Sequence, residues 1–136
     1  MFTNRPVWLV GAVAGVAASV ATEIYGLIAR AAGIPMSAGS IGAPSAGPIT
    51  VGMFAMGTLI CTFWGTVIAV LLNRFARRPA RTFLWTAVGL TAVSFVAPVL
   101  AAHTAVSTKI MLLVGHLVAA AVVIPLVTRR LARTAR

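Results

Sequence analysis

Four long apolar stretches occupy most of this 136-residue chain, at about 7–29, 49–72, 82–102 and 109–127. At 1.5 Å of rise per residue, a helix needs roughly 20 apolar residues to cross a hydrocarbon core about 30 Å thick. Each stretch meets that length, and together they leave no room for a soluble domain. Charge content agrees: nine per cent of the residues are Asp, Glu, Lys or Arg, against about a quarter in a soluble domain. The predicted fold is all-α, a single integral membrane domain over 1–136 built as a four-transmembrane-helix bundle. The links at 73–81 and between the third and fourth stretches are short, so successive helices are expected to be antiparallel neighbours.

The basic residues predict an orientation. Arg5 precedes the first span, Arg74, Arg77, Arg78 and Arg81 fill the 73–81 link, and Arg129, Arg130, Arg133 and Arg136 follow the fourth span. Only Arg30 and Lys109 fall at the opposite ends, a bias of nine to two. The positive-inside rule then puts both termini in the cytoplasm, N-in and C-in. The expected location is a bacterial plasma membrane, with Arg74, Arg77, Arg78 and Arg81 against anionic lipid headgroups. Membrane lipids, and no nucleic acid, are the partners this reading gives to "NRFARRPAR". Arg5 and the apolar run after it loosely fit a signal peptide, but the run is longer than a typical h-region and reads as the first span. The lone Cys61 lies inside the second span and forms no disulfide within the chain.

Other features mark levels along the spans. Trp8 and Trp85 stand three or four residues inside a basic residue, where an interfacial aromatic belt belongs. Trp64 lies near the middle of the second span, where its indole N–H requires a partner. The outer loop at 31–48, "AAGIPMSAGSIGAPSAGP", holds four Gly, three Pro and three Ser without a charge. It reads either as a flexible linker or as a lid resting at the outer headgroup level. Non-helical backbone at membrane depth is tolerated only when buried in protein or facing water. Pro98 and Pro125 each remove a helix hydrogen bond and free the carbonyls of Ser94 and Ala121. The first is expected to kink the third span, as a packing bend or as the wall of a small polar pocket.

Among eleven Lys and Arg the chain carries one acid, Glu23, the only charge between residues 7 and 29. Residues four apart share a helix face, so Glu23 continues the stripe Gly11, Gly15 and Ser19. Small residues at this spacing let membrane helices approach closely, which points the carboxylate into protein rather than lipid. The second span offers Gly57, Cys61 and Gly65 as the matching stripe. These small faces are the expected helix packing, within the chain or between copies in a homo-oligomer. Glu23 is seven residues inside Arg30, and His116 is seven inside Lys109 on a helix of opposite direction. Both should therefore lie about 10 Å below the outer interface, with His103 shallower. A lone charged carboxylate at that depth costs a few kcal/mol, so Glu23 is expected to pair, with His116 or a Trp or Tyr, or to stay protonated.

Glu23, His116, His103, Tyr25 and Trp64 are the candidate ligand- or proton-binding set, and several classes of function fit them. A carrier would exchange a proton on Glu23 for a small or lipophilic ligand or a cation, with His103 as a gate or second ligand under the 31–48 loop. A membrane enzyme would use Glu23 and His116 as an acid–base pair on a lipid-soluble substrate. Two His and one carboxylate also form a known metal set, but His103 and His116 differ in depth and no cysteine pair or HExxH spacing supports zinc. No metal ligand, cofactor or catalytic residue is assigned. An accessory or scaffold subunit of a larger membrane complex is a further reading. Binding or transport with proton linkage leads.

Two resemblances bear on this. The segments "TEIYGLIARAAGIPM", "RRPARTF" and "GHLVAAAVVIP" resemble an actinobacterial family of four-helix membrane proteins of unknown function, across all four spans. That resemblance implies fold and topology and carries over no activity. The chain is also similar to the small four-helix multidrug exporters in length, in span count and in placing its acid in span one, "ATEIYG". It departs from them in its strong Arg bias and in lacking their aromatic-rich second span beyond Phe63 and Trp64.

Overall fold

The structure, a computed structural model, describes residues 5–134; Arg136 lies outside them. Its helices are α1 (Val7–Ala31), α2 (Met53–Phe75), α3 (Pro79–Ser94), α4 (Val96–Val99) and α5 (Val106–Thr134). Two short strands, β1 (Ser37–Ala38) and β2 (Gly47–Pro48), pair antiparallel in the loop between α1 and α2. Among the described residues four segments are long and apolar enough to cross a membrane, α3 and α4 together making the third. The protein is a four-helix, multi-pass membrane bundle, as its hydropathy predicted.

Two boundaries differ from the sequence reading, each for a local reason. The third span breaks at Phe95, between α3 and α4. Pro98 supplies no N–H to the carbonyl of Ser94, and its ring crowds that same carbonyl. The chain tightens there, with the Phe95 amide turning back to the carbonyl of Ala92 at 3.2 Å. Pro125, by contrast, sits inside an unbroken α5, which runs on past residue 127 through Arg129, Arg130 and Arg133. Those arginines therefore lie on the last turns of the fourth span rather than after it.

Around the bundle, α1 packs along α2 and α5, while α3 packs along α5 and more lightly along α2. α1 is the most enclosed. Its buried face repeats at helical spacing through Val10, Ala14, Ala18, Thr22 and Ala29, with Ala14 and Ala18 fully inaccessible. Small side chains allow that closeness because the dispersion contacts depend on near-touching backbones.

The partner face on α2 is not the one the sequence suggested. Thr62 and Thr66 fill the hollows over Gly15 and Gly11: a Cβ on Gly15 would lie 2.7 Å from the Thr62 hydroxyl, and one on Gly11 would coincide with the Thr66 side chain. One turn further, the Thr22 and Thr58 hydroxyls bond across the seam at 2.9 Å. Gly57, Gly65 and Cys61 point elsewhere; nothing lies within 4 Å of a Cβ built on either glycine, and Cys61 is exposed. The physical reason is shape. Two stripes of small residues would leave a gap, whereas branched Thr knobs fill glycine holes, and each hydroxyl stays satisfied by its own helix, Thr62 on Thr58 and Thr66 on Thr62, both at 2.8 Å. Any self-association must use another face, because the Gly11–Gly15 groove is occupied.

At the arginine-rich end, Val7, Ala69, Phe83, Val127 and Leu131 form a closed apolar cluster. Pro79 opens α3 as its first residue, where a missing N–H costs nothing. Arg130 Nε donates to the carbonyl of Arg5 at 2.6 Å, fastening the N-terminal end of α1 to α5.

Candidate functional site

At the opposite end the loop between α1 and α2 is tied down by hydrogen bonds. Gly39 N–H donates to the carbonyl of Ala102 and to the Thr104 hydroxyl, at 3.1 and 3.0 Å. Ile41 bridges Ala101, Thr108 donates to the carbonyl of Pro35 at 2.6 Å, and Arg30 reaches the carbonyl of Ile49 at 2.7 Å. These bonds pair several backbone groups in and beside an uncharged Gly/Pro/Ser segment. Residues 31–48, hereafter the lid, are held against the turn before α5 and the start of α5 by these contacts.

Glu23 explains its own position. α2 starts at Met53 behind Gly52, whose φ of +92° and missing side chain leave the helix without a local cap. The first N–H groups of any helix lack partners within it. Glu23 supplies them from α1: Oε1 accepts from Gly52 N–H at 2.8 Å and Oε2 from Ala55 N–H at 3.1 Å. The positive end of the α2 dipole faces the carboxylate, an arrangement worth about 1 kcal/mol for a cap and somewhat more when partly buried. No basic side chain is needed. The expected partner, His116, is engaged elsewhere, and no hydrogen bond joins it to Glu23 among the described residues.

Depth is legible even so. Tyr25 donates from its hydroxyl to the Met111 carbonyl on α5 at 3.1 Å, tying α1 to α5 five residues before His116. Phe54 lies between the glycines of the two helices: a Cβ on Gly26 would meet its ring at 2.7 Å, and one on Gly115 at 3.4 Å. Tyr25 is thus a strut, and Phe54 a wedge. Phe54 was missed in the sequence; its only signal was Gly26 and Gly115, whose facing required the fold.

Between α2, α3 and α5 lies a cavity of about 690 Å3. Ala38 of the lid and Ile49 just after it stand at one end, and Ile68, Phe83 and Val123 at the other. Gly57, Cys61 and Gly65 form part of its wall. Ile60, Trp64 and Leu90 also line it while being more than half exposed, so it opens sideways between α2 and α3. From Met53 to Ile68 it extends about 22 Å along α2. No Asp, Glu, Lys or Arg lines it.

His116 is the polar focus of that wall. Its Nδ1 lies 2.7 Å from the carbonyl of Leu112, and its ring stands edge-on to Phe95 with centroids 6.2 Å apart. Thr91 and Ser94 of α3 also line the cavity, but their hydroxyls donate within their own helix, to Ala87 at 2.8 Å and Thr91 at 2.6 Å. The break at Phe95 produced by Pro98 thus sits beside His116, on a cavity that is mostly apolar rather than the small polar pocket offered as one outcome of that kink. Trp64 packs edge-on against Phe63 at 5.4 Å and faces the opening. His103 is exposed, in the turn before α5, with φ of +48°; it does not line the cavity. No group of three or more His, Cys, Asp or Glu that could hold a metal occurs among the described residues.

The chain belongs to a family of unknown function, DUF6069, whose model matches residues 2–133. No curated protein and no solved structure matches it.

Proposed function

We propose that this protein binds a lipophilic molecule that enters from the bilayer between α2 and α3 and lodges beneath the lid. The observation that carries this reading is the side-opening cavity of about 690 Å3 with an uncharged wall. That volume lies within the range of sites that enclose small organic ligands, which are mostly apolar with few polar groups. A cation carrier would need an acid facing its cargo, and the sole acid caps α2 instead. The arginine-rich end would face the cytoplasm of a bacterial cell, placing the lid outside, with Arg74, Arg77, Arg78 and Arg81 among anionic headgroups.

Native mass spectrometry of protein extracted in mild detergent tests the reading. Wild type is expected to retain an apolar adduct that a Gly57→Leu/Gly65→Leu variant has lost. Both leucines would enter the cavity without touching other atoms of the wall within 4 Å of their Cβ. An adduct held equally by both proteins would place it outside the cavity and overturn the proposal.

A further inference from the structure

We infer that the ligand is an electrically neutral lipophile with a hydrogen-bond donor, of the hydroxyl class, that it binds head-first toward the lid, and that His116 Nε2 accepts the hydrogen bond it donates. This rests on the binding role proposed above and adds the chemistry of the head. A carbonyl only accepts, so the 2.7 Å contact between His116 Nδ1 and Leu112 O places the ring proton on Nδ1. In the neutral imidazole the remaining nitrogen, Nε2, carries a lone pair, and it has no hydrogen-bond partner among the described residues. Thr91 and Ser94 have their protons committed to their own helix, as does Thr62, which donates to Thr58. The cavity beside His116 thus offers acceptors and asks the ligand for a proton.

Charge narrows the class. A cationic head would meet no carboxylate, because Glu23 faces the α2 terminus and no other acid exists in the chain. An anionic head would meet no Lys or Arg on the wall. Either ion would be desolvated without a partner, at a cost of several kcal/mol. A neutral ether or ketone would leave Nε2 unmatched. Position sets the direction: His116 lies five residues beyond Met111, the anchor of the Tyr25 strut, toward the lid end of the cavity, whereas Ile68, Phe83 and Val123 form an apolar inner end. The tail therefore runs inward past Trp64.

Stearyl alcohol and its methyl ether share a chain and differ in the one proton. Offered together to detergent-solubilised protein and read by native mass spectrometry, the alcohol is expected to win by about tenfold, the usual effect of one matched hydrogen bond in an apolar site. His116→Phe should reduce the ratio to about one while both ligands still bind; His116→Gln, whose amide oxygen accepts, should restore part of it. Equal binding of alcohol and ether by wild type, with both lost in Gly57→Leu/Gly65→Leu, would overturn the head-group assignment and leave the binding role standing. An alcohol preference that survives His116→Phe would also overturn it. Binding of neither ligand, or binding indifferent to the filled cavity, would remove the proposed function and this inference with it.

Discussion

The two faces of α2 carry stripes of small residues one position apart, and they meet opposite fates. On one face Thr58, Thr62 and Thr66 press into α1, over Gly11 and Gly15 and across to the Thr22 hydroxyl. On the other, Gly57, Cys61 and Gly65 look onto a cavity. Both have the i, i+4 spacing that permits close helix approach. Spacing permits, but complementarity decides: a knob is needed for each hole. The seam has knobs and holes. On the cavity side small residues of α2 face α3 across open space, and that space is the candidate binding site.

The largest expected effect exploits this contrast. Gly15→Leu drives a side chain into Thr62, which is fixed by the backbone of its own helix, and should cost about 3 kcal/mol or prevent assembly. Gly57→Leu meets nothing within 4 Å and also removes a helix glycine, so it should lie within about 1 kcal/mol of wild type, on the stabilising side. Thermal unfolding in detergent compares the two. If Gly57→Leu proves as damaging as Gly15→Leu, the cavity face is packed in the membrane, by a second copy or another chain, and the contrast fails.

A smaller effect concerns where the seam ends. Glu23→Leu leaves the Gly52 and Ala55 amides without their acceptors and should lower stability by about 2 kcal/mol. Glu23→Gln keeps one oxygen but loses the charge facing the dipole, for about 1 kcal/mol. Amide hydrogen exchange should speed up at Gly52 and Ala55 in both. His116→Phe should leave those two amides unchanged. Faster exchange there in the histidine variant would couple cap and cavity, and would revive the Glu23–His116 pairing in an indirect form.

Hydropathy made the four spans legible, because length and apolarity are properties of a segment by itself. The level of Glu23 was legible too: counting from Arg30 and Lys109 put it near His116 in depth, and the Tyr25 and Phe54 contacts agree. What faces what was not. Depth along a helix follows from residue number, whereas rotation about its axis depends on neighbours. A single residue of offset on α2, from Thr66 to Gly65, exchanges seam for cavity. The role of Glu23 was hidden for a related reason. Its partners are backbone amides, present in every residue, and only the start of α2 at that level makes them a target. His116 was found by chemistry, and Phe54 was missed because apolar residues in an apolar span carry no mark.

The smallest effect is the sharpest test of the contrast between seam and cavity. Thr22 and Thr58 share a hydroxyl bond at 2.9 Å, and Thr22 also reaches the carbonyl of Ser19 at 3.1 Å. A double-mutant cycle with Thr22→Val and Thr58→Val should give a coupling of about 0.6 kcal/mol, the usual value for a polar contact between membrane helices. Thr91 and His116 face one cavity but each bonds only its own helix, Ala87 for one and Leu112 for the other. Their cycle, Thr91→Val with His116→Phe, should therefore lie below about 0.3 kcal/mol, within the additivity of independent sites. Equal couplings would mean that α3 closes on α5 and the cavity has no standing volume. Added stearyl alcohol sharpens the result further: a coupling between Thr91 and His116 that appears only with the alcohol present would show one molecule touching both walls.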